Sequence, residues 1–246
     1  GAAHAELNQQ PQQLHNFAWK SNNEYHYIVE SRSLTGLPDV SNQYSGVLMR
    51  AVLKVQSKDG ETLFAKMSKV EYAPVHTQLP RGWDSEIPEG MQDFKPLATS
   101  GKPFEVRMEN GVIRELIFDK DVPTWEVNIC KGVVTQLQVD TQGENMIASR
   151  NNQSPDSEQN NAMYKTMEDS VGGTCEVLYD INAAPESMAQ QIMRRLPGVQ
   201  YRTGEKVYEI MKTKDFSNCR RRAAVHFGVT GGMDFEPGSS KEGLVK

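Results

Sequence analysis

Apolar and polar residues alternate over most of the first 120 positions, the period expected of antiparallel strands with one wet face. From Tyr44 onward, Val47, Met49, Ala51, Leu53 and Val55 fall on one side, and Arg50, Lys54 and Gln56 on the other. That run ends at Lys58-Asp59-Gly60-Glu61, where Asp-Gly favours the positive φ angles of a type I′ hairpin. Leu63, Ala65 and Met67 then read as the returning strand. The same grammar recurs at Phe104 to Glu109, Asn110-Gly111 and Val112 to Asp119. Tyr25, Tyr27 and Val29 predict an earlier strand, closed by the turn signal Gly36-Leu37-Pro38-Asp39.

After Pro123 the period changes. Trp125, Ile129, Val133 and Leu137 recur every four residues, which predicts a helix over about 124–138 with a narrow apolar stripe, Thr124 capping its start. Gly132 costs about 1 kcal/mol against Ala inside a helix, so another element is expected to approach closely there. Residues 141–161 carry no apolar periodicity and read as a flexible loop or processing site. Strand patterns resume at Met163 to Met167, Cys175 to Ile181, Val207 to Met211 and Ala223 to Val229, with a short helix over Glu186 to Arg195. The predicted organisation is an N-terminal extension or expression scar (1–18), a first β part with the helix (19–140), the loop (141–161), a second β part (162–235), and a tail (236–246) continuing into a longer protein.

Composition changes this picture in one respect. The 246 residues carry 27 basic and 32 acidic side chains, but residues 187–246 hold 11 basic against 6 acidic, a local excess of +5 within a chain of net −5. The excess concentrates between Arg194 and Arg222, where nine Lys and Arg face only Glu205, Glu209 and Asp215. Either this is a solvated surface, or it is a docking face for an acidic partner. No apolar run approaches the roughly 20 residues of a membrane-spanning helix, so no membrane insertion is expected.

Catalytic signals are missing: no GxSxG, HExxH, Walker A or GxGxxG motif occurs. His4, His15, His26, His76 and His226 stand far apart; only His26 and His226, both on strand patterns, could meet to hold a metal. Glu168 and Asp169 read as a solvated strand end rather than an acid/base couple. Neither enzyme activity, a metal nor a cofactor is therefore expected. Cys130, Cys175 and Cys219 lack CxxC spacing; in a secreted chain an odd count means one bridge and one buried thiol. Cys175 and Cys219 are the favoured pair, because each borders a predicted strand end while Cys130 lies in the helix; closing 44 residues stabilises by about 4 kcal/mol. Asn152, in Asn152-Gln153-Ser154, is the one glycosylation sequon and fits an exposed loop, although Pro155 follows it.

Four blocks in order carry a resemblance: Ser31-Arg32-Ser33-Leu34-Thr35-Gly36-Leu37-Pro38; Trp125-Glu126-Val127-Asn128-Ile129-Cys130-Lys131-Gly132; Met167-Glu168-Asp169-Ser170-Val171-Gly172-Gly173-Thr174-Cys175-Glu176-Val177-Leu178-Tyr179-Asp180-Ile181; and Lys212-Thr213-Lys214-Asp215-Phe216-Ser217-Asn218-Cys219. Over about Trp19 to Phe235 the chain resembles the N-terminal domain of vitellogenins, those of insects in particular. The resemblance implies a mainly β fold, an antiparallel β-barrel wrapped around one central α-helix. It further implies secretion into blood or haemolymph, uptake into oocyte yolk, and a yolk-precursor lipoprotein whose lipid sits in later domains absent here. The Cys175–Cys219 pair coincides with a family disulfide, whereas Cys130 departs from the basic or polar residue expected at its position.

The resemblance also implies recognition by a vitellogenin receptor of the low-density-lipoprotein class through the strand that reads Lys-Thr-Lys-Asp here. Such receptors present calcium-bound acidic pockets, which an ammonium fits as a point charge. Lys212 and Lys214, two apart on a strand, point to one face and are expected as contacts. Arg220, Arg221 and Arg222 would add steering charge. The alternative is a polyanion-binding module, for nucleic acid or microbial surface polymers, using the same basic stripe.

Overall fold

A computed structural model describes residues 19–37, 39–140, 146–147, 152, 161–170, 173–195 and 208–222. Strand patterns become strands almost throughout: β1 (Glu24–Gly36), β2 (Gln43–Ser57), β3 (Thr62–Gln78), the short β4 (Lys95–Pro96), β5 (Phe104–Glu109), β6 (Val112–Ile117), β7 (Ala162–Ser170), β8 (Gly173–Ala183) and β9 (Tyr208–Arg222). Among the described residues two α-helices join them, α1 (Thr124–Val134) and α2 (Glu186–Arg195). The ladders form one sheet ordered β1-β2-β3-β5-β6, with β4 on β3, and a second ordered β7-β8-β9. The chain is mainly β, and the pairings of β3 with β4, β5 with β6, β7 with β8 and β8 with β9 are antiparallel. Ala223 to Val229, His226 and most of 141–161 lie outside the described residues, as do the N-terminal extension and the tail.

The two predicted hairpins turn differently. At Asn110-Gly111 both residues have positive φ (52° and 82°), and a two-residue loop joins β5 to β6 as the type I′ reading requires. At Asp59-Gly60 only Gly60 is left-handed (φ 87°) and the loop is longer. The Asp59 carboxylate accepts from the Glu61 and Thr62 amides, so an Asx turn replaces the expected I′ geometry.

Two compact units are distinguished. One comprises Glu24–Val55 and Ala65–Pro103; its core gathers Leu48, Ala73 and Val75 against Leu34, Ile87 and Phe94. Alternation is interrupted twice here. In β2, Leu48 is buried while Val47 is exposed, yet Ala51, Leu53 and Val55 are buried, so the inward face changes parity near Met49. In β3 the break lies at Lys69 (φ 50°), between buried Met67 and buried Val70. Gly46 admits no side chain, since a Cβ there would lie 1.9 Å from the Ser33 carbonyl oxygen.

The other unit comprises Gln56–Phe64 and the described residues before Glu24 and from Phe104 onward. Tyr164 and Tyr179, edge to face at 5.2 Å between centroids, form its second-sheet core with Ala162 and Val177. Helix α1 lies in this unit, but the predicted stripe is offset by one residue. Trp125 is 44% exposed and Ile129 and Val133 are half-buried, while Glu126, Cys130, Lys131 and Val134 are buried. Pro123, not Thr124, holds the N-cap position. Nor does anything crowd Gly132: among the described residues, nothing lies within 4 Å of a Cβ built there.

Candidate functional site: strand β9 and its buried lysine

Strand β9 carries every predicted receptor-contact residue. Its register on β8 sets Lys212 opposite Tyr179, Lys214 opposite Val177 and Cys219 opposite Cys175. Between Asp215, which pairs Glu176, and Cys219, residues 216–218 bulge out of the ladder; Arg220 forms a second irregularity before Arg221 pairs Thr174. The bulge is held by its own polar groups. Asp215 accepts from the Ser217 amide at 2.8 Å, and the Asn218 amide group donates to Glu176 at 2.6 Å. Glu176 also pairs with Lys165 at 2.7 Å, which with the Asn218 bond holds its carboxyl below the usual range. The disulfide joins Cys175 and Cys219, the pair the strand ends favoured. Cys130 is the remaining, buried thiol; burial, and after it the neighbouring Glu126, push its pKa up to about 12.

Lys212 and Lys214 do share one face, but it is the inner one. The Lys212 side chain is only 9% exposed. Its Nζ donates to the carbonyl oxygens of Thr135 (3.1 Å) and Gln138 (2.9 Å) and to Glu168 Oε1 (2.8 Å), and lies 5.3 Å from the Tyr179 ring centroid. Thr135, whose carbonyl also accepts the Gln138 amide, opens the 3-10 turn Thr135–Leu137 that follows α1, at the negative end of the helix dipole. Burial pulls the Lys212 ammonium below the usual lysine value, and Glu168 opposes that pull. The Lys214 ammonium meets Ser170 Oγ and is drawn down by burial in the same sense. The expected outward projection of both ammonium groups is thereby corrected. Arg220 and Arg221, by contrast, are exposed, and β9 continues through Arg222.

Glu168 is likewise no solvated strand end. At 5% exposure it accepts on both oxygens, from Lys212 and from the Tyr179 hydroxyl. Burial and then the Glu168 charge raise the Tyr179 pKa well above that of a free phenol. Around this pair runs a polar network that the sequence patterns did not single out. Gln138, fully buried, accepts from the Ile113 amide at 2.9 Å and donates to the Asp169 carbonyl at 3.0 Å. Asp140 takes the Thr166 hydroxyl at 3.0 Å on its carboxylate and the Tyr164 hydroxyl at 2.8 Å on its carbonyl. Among the described residues no buried polar side-chain atom lacks a partner, so the network is closed. The signal was present in β7: Tyr164, Thr166, Glu168 and Ser170 alternate as one face, and the two tyrosines mark it as the inner one.

Asn152 also departs from its predicted setting. It is half-buried, its amide donating to the Ile147 carbonyl at 2.7 Å and its carbonyl accepting from the Lys165 amide at 3.3 Å. His26 pairs with Glu24, and among the described residues no group of three His, Cys, Asp or Glu could hold a metal. No described helix is long and apolar enough to cross a membrane.

Comparison with known proteins places this geometry. The family model of the vitellogenin N-terminal domain matches residues 19–245. Vitellogenin-1 of Solenopsis invicta is 46% identical over 223 residues, covering 91% of this chain and 13% of that protein. Vitellogenin of Anthonomus grandis is 39% identical over 226 residues, covering 92% and 13%. This chain thus spans about an eighth of the length of those relatives. A solved structure concerned with lipid–protein interactions in lipovitellin matches 83% of this chain and 18% of its own, with TM-score 0.53 and 18% identity, a likeness of fold.

Proposed function

Since this chain belongs to the vitellogenin N-terminal domain family, we propose that it serves a secreted yolk-precursor lipoprotein as the module recognised during uptake into oocytes. Lipid transport and the nutrient reservoir belong to the whole precursor, and the lipid to domains beyond this chain. The partner proposed is a receptor of the low-density-lipoprotein class. Recognition is non-enzymatic and runs through β9.

One observation carries this reading: β9 presents exposed Arg220 and Arg221 on a segment fastened by a disulfide at Cys219 and, upstream, by the Lys212 ion pair. An anchored segment loses little backbone freedom on meeting an acidic calcium-bound pocket, and its cations attract the pocket over a Debye length of about 8 Å at physiological salt. Arg220 and Arg221 are therefore assigned the surface charge, while the Lys212 and Lys214 ammonium groups face inward. Glycosylation at Asn152 would leave one amide hydrogen to keep the bond to Ile147.

The test is binding of the chain to the receptor ectodomain. Arg220→Glu with Arg221→Glu is expected to weaken binding at least tenfold, and calcium chelation to abolish it. Unchanged binding after charge reversal would overturn the proposal. Binding that survives chelation but falls steeply with salt would favour the polyanion reading instead.

A further inference from the structure

We propose that Lys212 is a positioning residue for the recognition strand: its ammonium latches β9 to the end of α1 and to Glu168, and the receptor never touches it. This rests on the proposed recognition role of β9 and assigns the work within it.

Three observations lead here. The Lys212 ammonium already has three acceptors on two separate elements, two carbonyls just after α1 and one carboxylate on β7, so it bridges pieces distant in sequence. The Glu168 carboxylate is in turn held from its other oxygen by Tyr179 on β8. Reaching a receptor pocket would strip Lys212 of all three acceptors and leave Glu168 buried without its cation, a costly change for one new contact. The bulge at 216–218 then separates the latched stretch from the arginines, so strand position, not side-chain reach, is what Lys212 can set. Lys214, whose ammonium meets Ser170 on the same inner face, adds to the hold.

A contact and a latch differ in how they respond to removing the buried partner. Replacing a buried ion pair by neutral groups of similar volume is often tolerated, whereas removing one member strands the other. The experiment therefore compares Lys212→Met, Glu168→Gln and the double variant in the 246-residue chain, reading receptor affinity and amide hydrogen exchange across 208–222. The latch predicts that K212M speeds exchange in β9 at least tenfold and weakens binding at least fivefold, and that adding E168Q, which relieves the stranded carboxylate but not the lost bonds to Thr135 and Gln138, recovers both together and only in part. Exchange that recovers in the double variant while binding stays lost would make Lys212 a receptor contact and overturn the proposal. Exchange unchanged in K212M would also overturn it, because the strand would then be held without the ammonium. If the parent chain itself fails to bind, the recognition reading falls, and the exchange comparison still decides the latch. Should K212M not fold, E168Q alone serves: the latch predicts faster β9 exchange and weaker binding, while a lysine released to a receptor would bind more tightly.

Discussion

The first half of β9, around Lys212, and its second half, around Cys219, are fastened by opposite means. Around Lys212 the strand is held by a buried charge whose acceptors come from α1's end and from β7, so its hold depends on every partner being in place. Around Cys219 a covalent bond to Cys175 does the work, and the bulge before it is tied by the Ser217 amide to Asp215 and by Asn218 to Glu176 on β8. The consequence is a division of cations. Lysines in the first half turn their ammonium groups inward, and Arg220 and Arg221 in the second are exposed.

Breaking the first fastening should have the largest effect. Lys212→Met leaves Glu168 buried without its cation, an expected loss of about 3–5 kcal/mol in denaturant unfolding, part of it recovered in the double variant with Glu168→Gln. Removing the second, by Cys175→Ser with Cys219→Ser, should cost about 2–4 kcal/mol, because the bridge closes a 44-residue separation. Smaller still is the effect of acid on the bulge. The Ser217 hydroxyl and amide lower the Asp215 pKa, and Lys165, with Asn218, lowers that of Glu176. Folded values below the unfolded ones mean stability present above the ordinary carboxyl range and lost as pH falls through the folded values, so unfolding free energy should decline below about pH 4. Asp215→Asn should remove part of that decline. Least affected is the Arg220→Ala, Arg221→Ala variant, whose stability should stay within about 0.5 kcal/mol of the parent. A large destabilisation there would erase the proposed division of labour.

The same contrast separates what could be read from residues alone. Local chemistry was legible: Asn110-Gly111 turns as its composition requires, the period change after Pro123 marks α1, and Cys175 and Cys219 pair across strand ends. Where several solutions satisfy one local pattern, the reading failed. Asp59-Gly60 supports an Asx turn as readily as a I′ turn. The parity changes near Met49 and at Lys69 leave no mark in an alternating pattern, because either parity supplies apolar residues. Helix α1 turns a face with Glu126 and Lys131 inward, and a hydrophobic stripe passes over charged residues by design. Lys212 was misplaced for a related reason. A lysine two residues from another reads as surface charge until its carboxylate, 44 residues earlier on β7, is brought beside it.

The central claim is that the Lys212 ammonium is spent inside the protein, and lysine-selective amine labelling of the native chain, followed by peptide mass spectrometry, tests it most directly. Exposed Lys58, Lys69 and Lys102 should label fast and Lys212 at least tenfold more slowly, rising to their rate only in denaturant. Lys212 labelling natively as fast as those three would contradict the account.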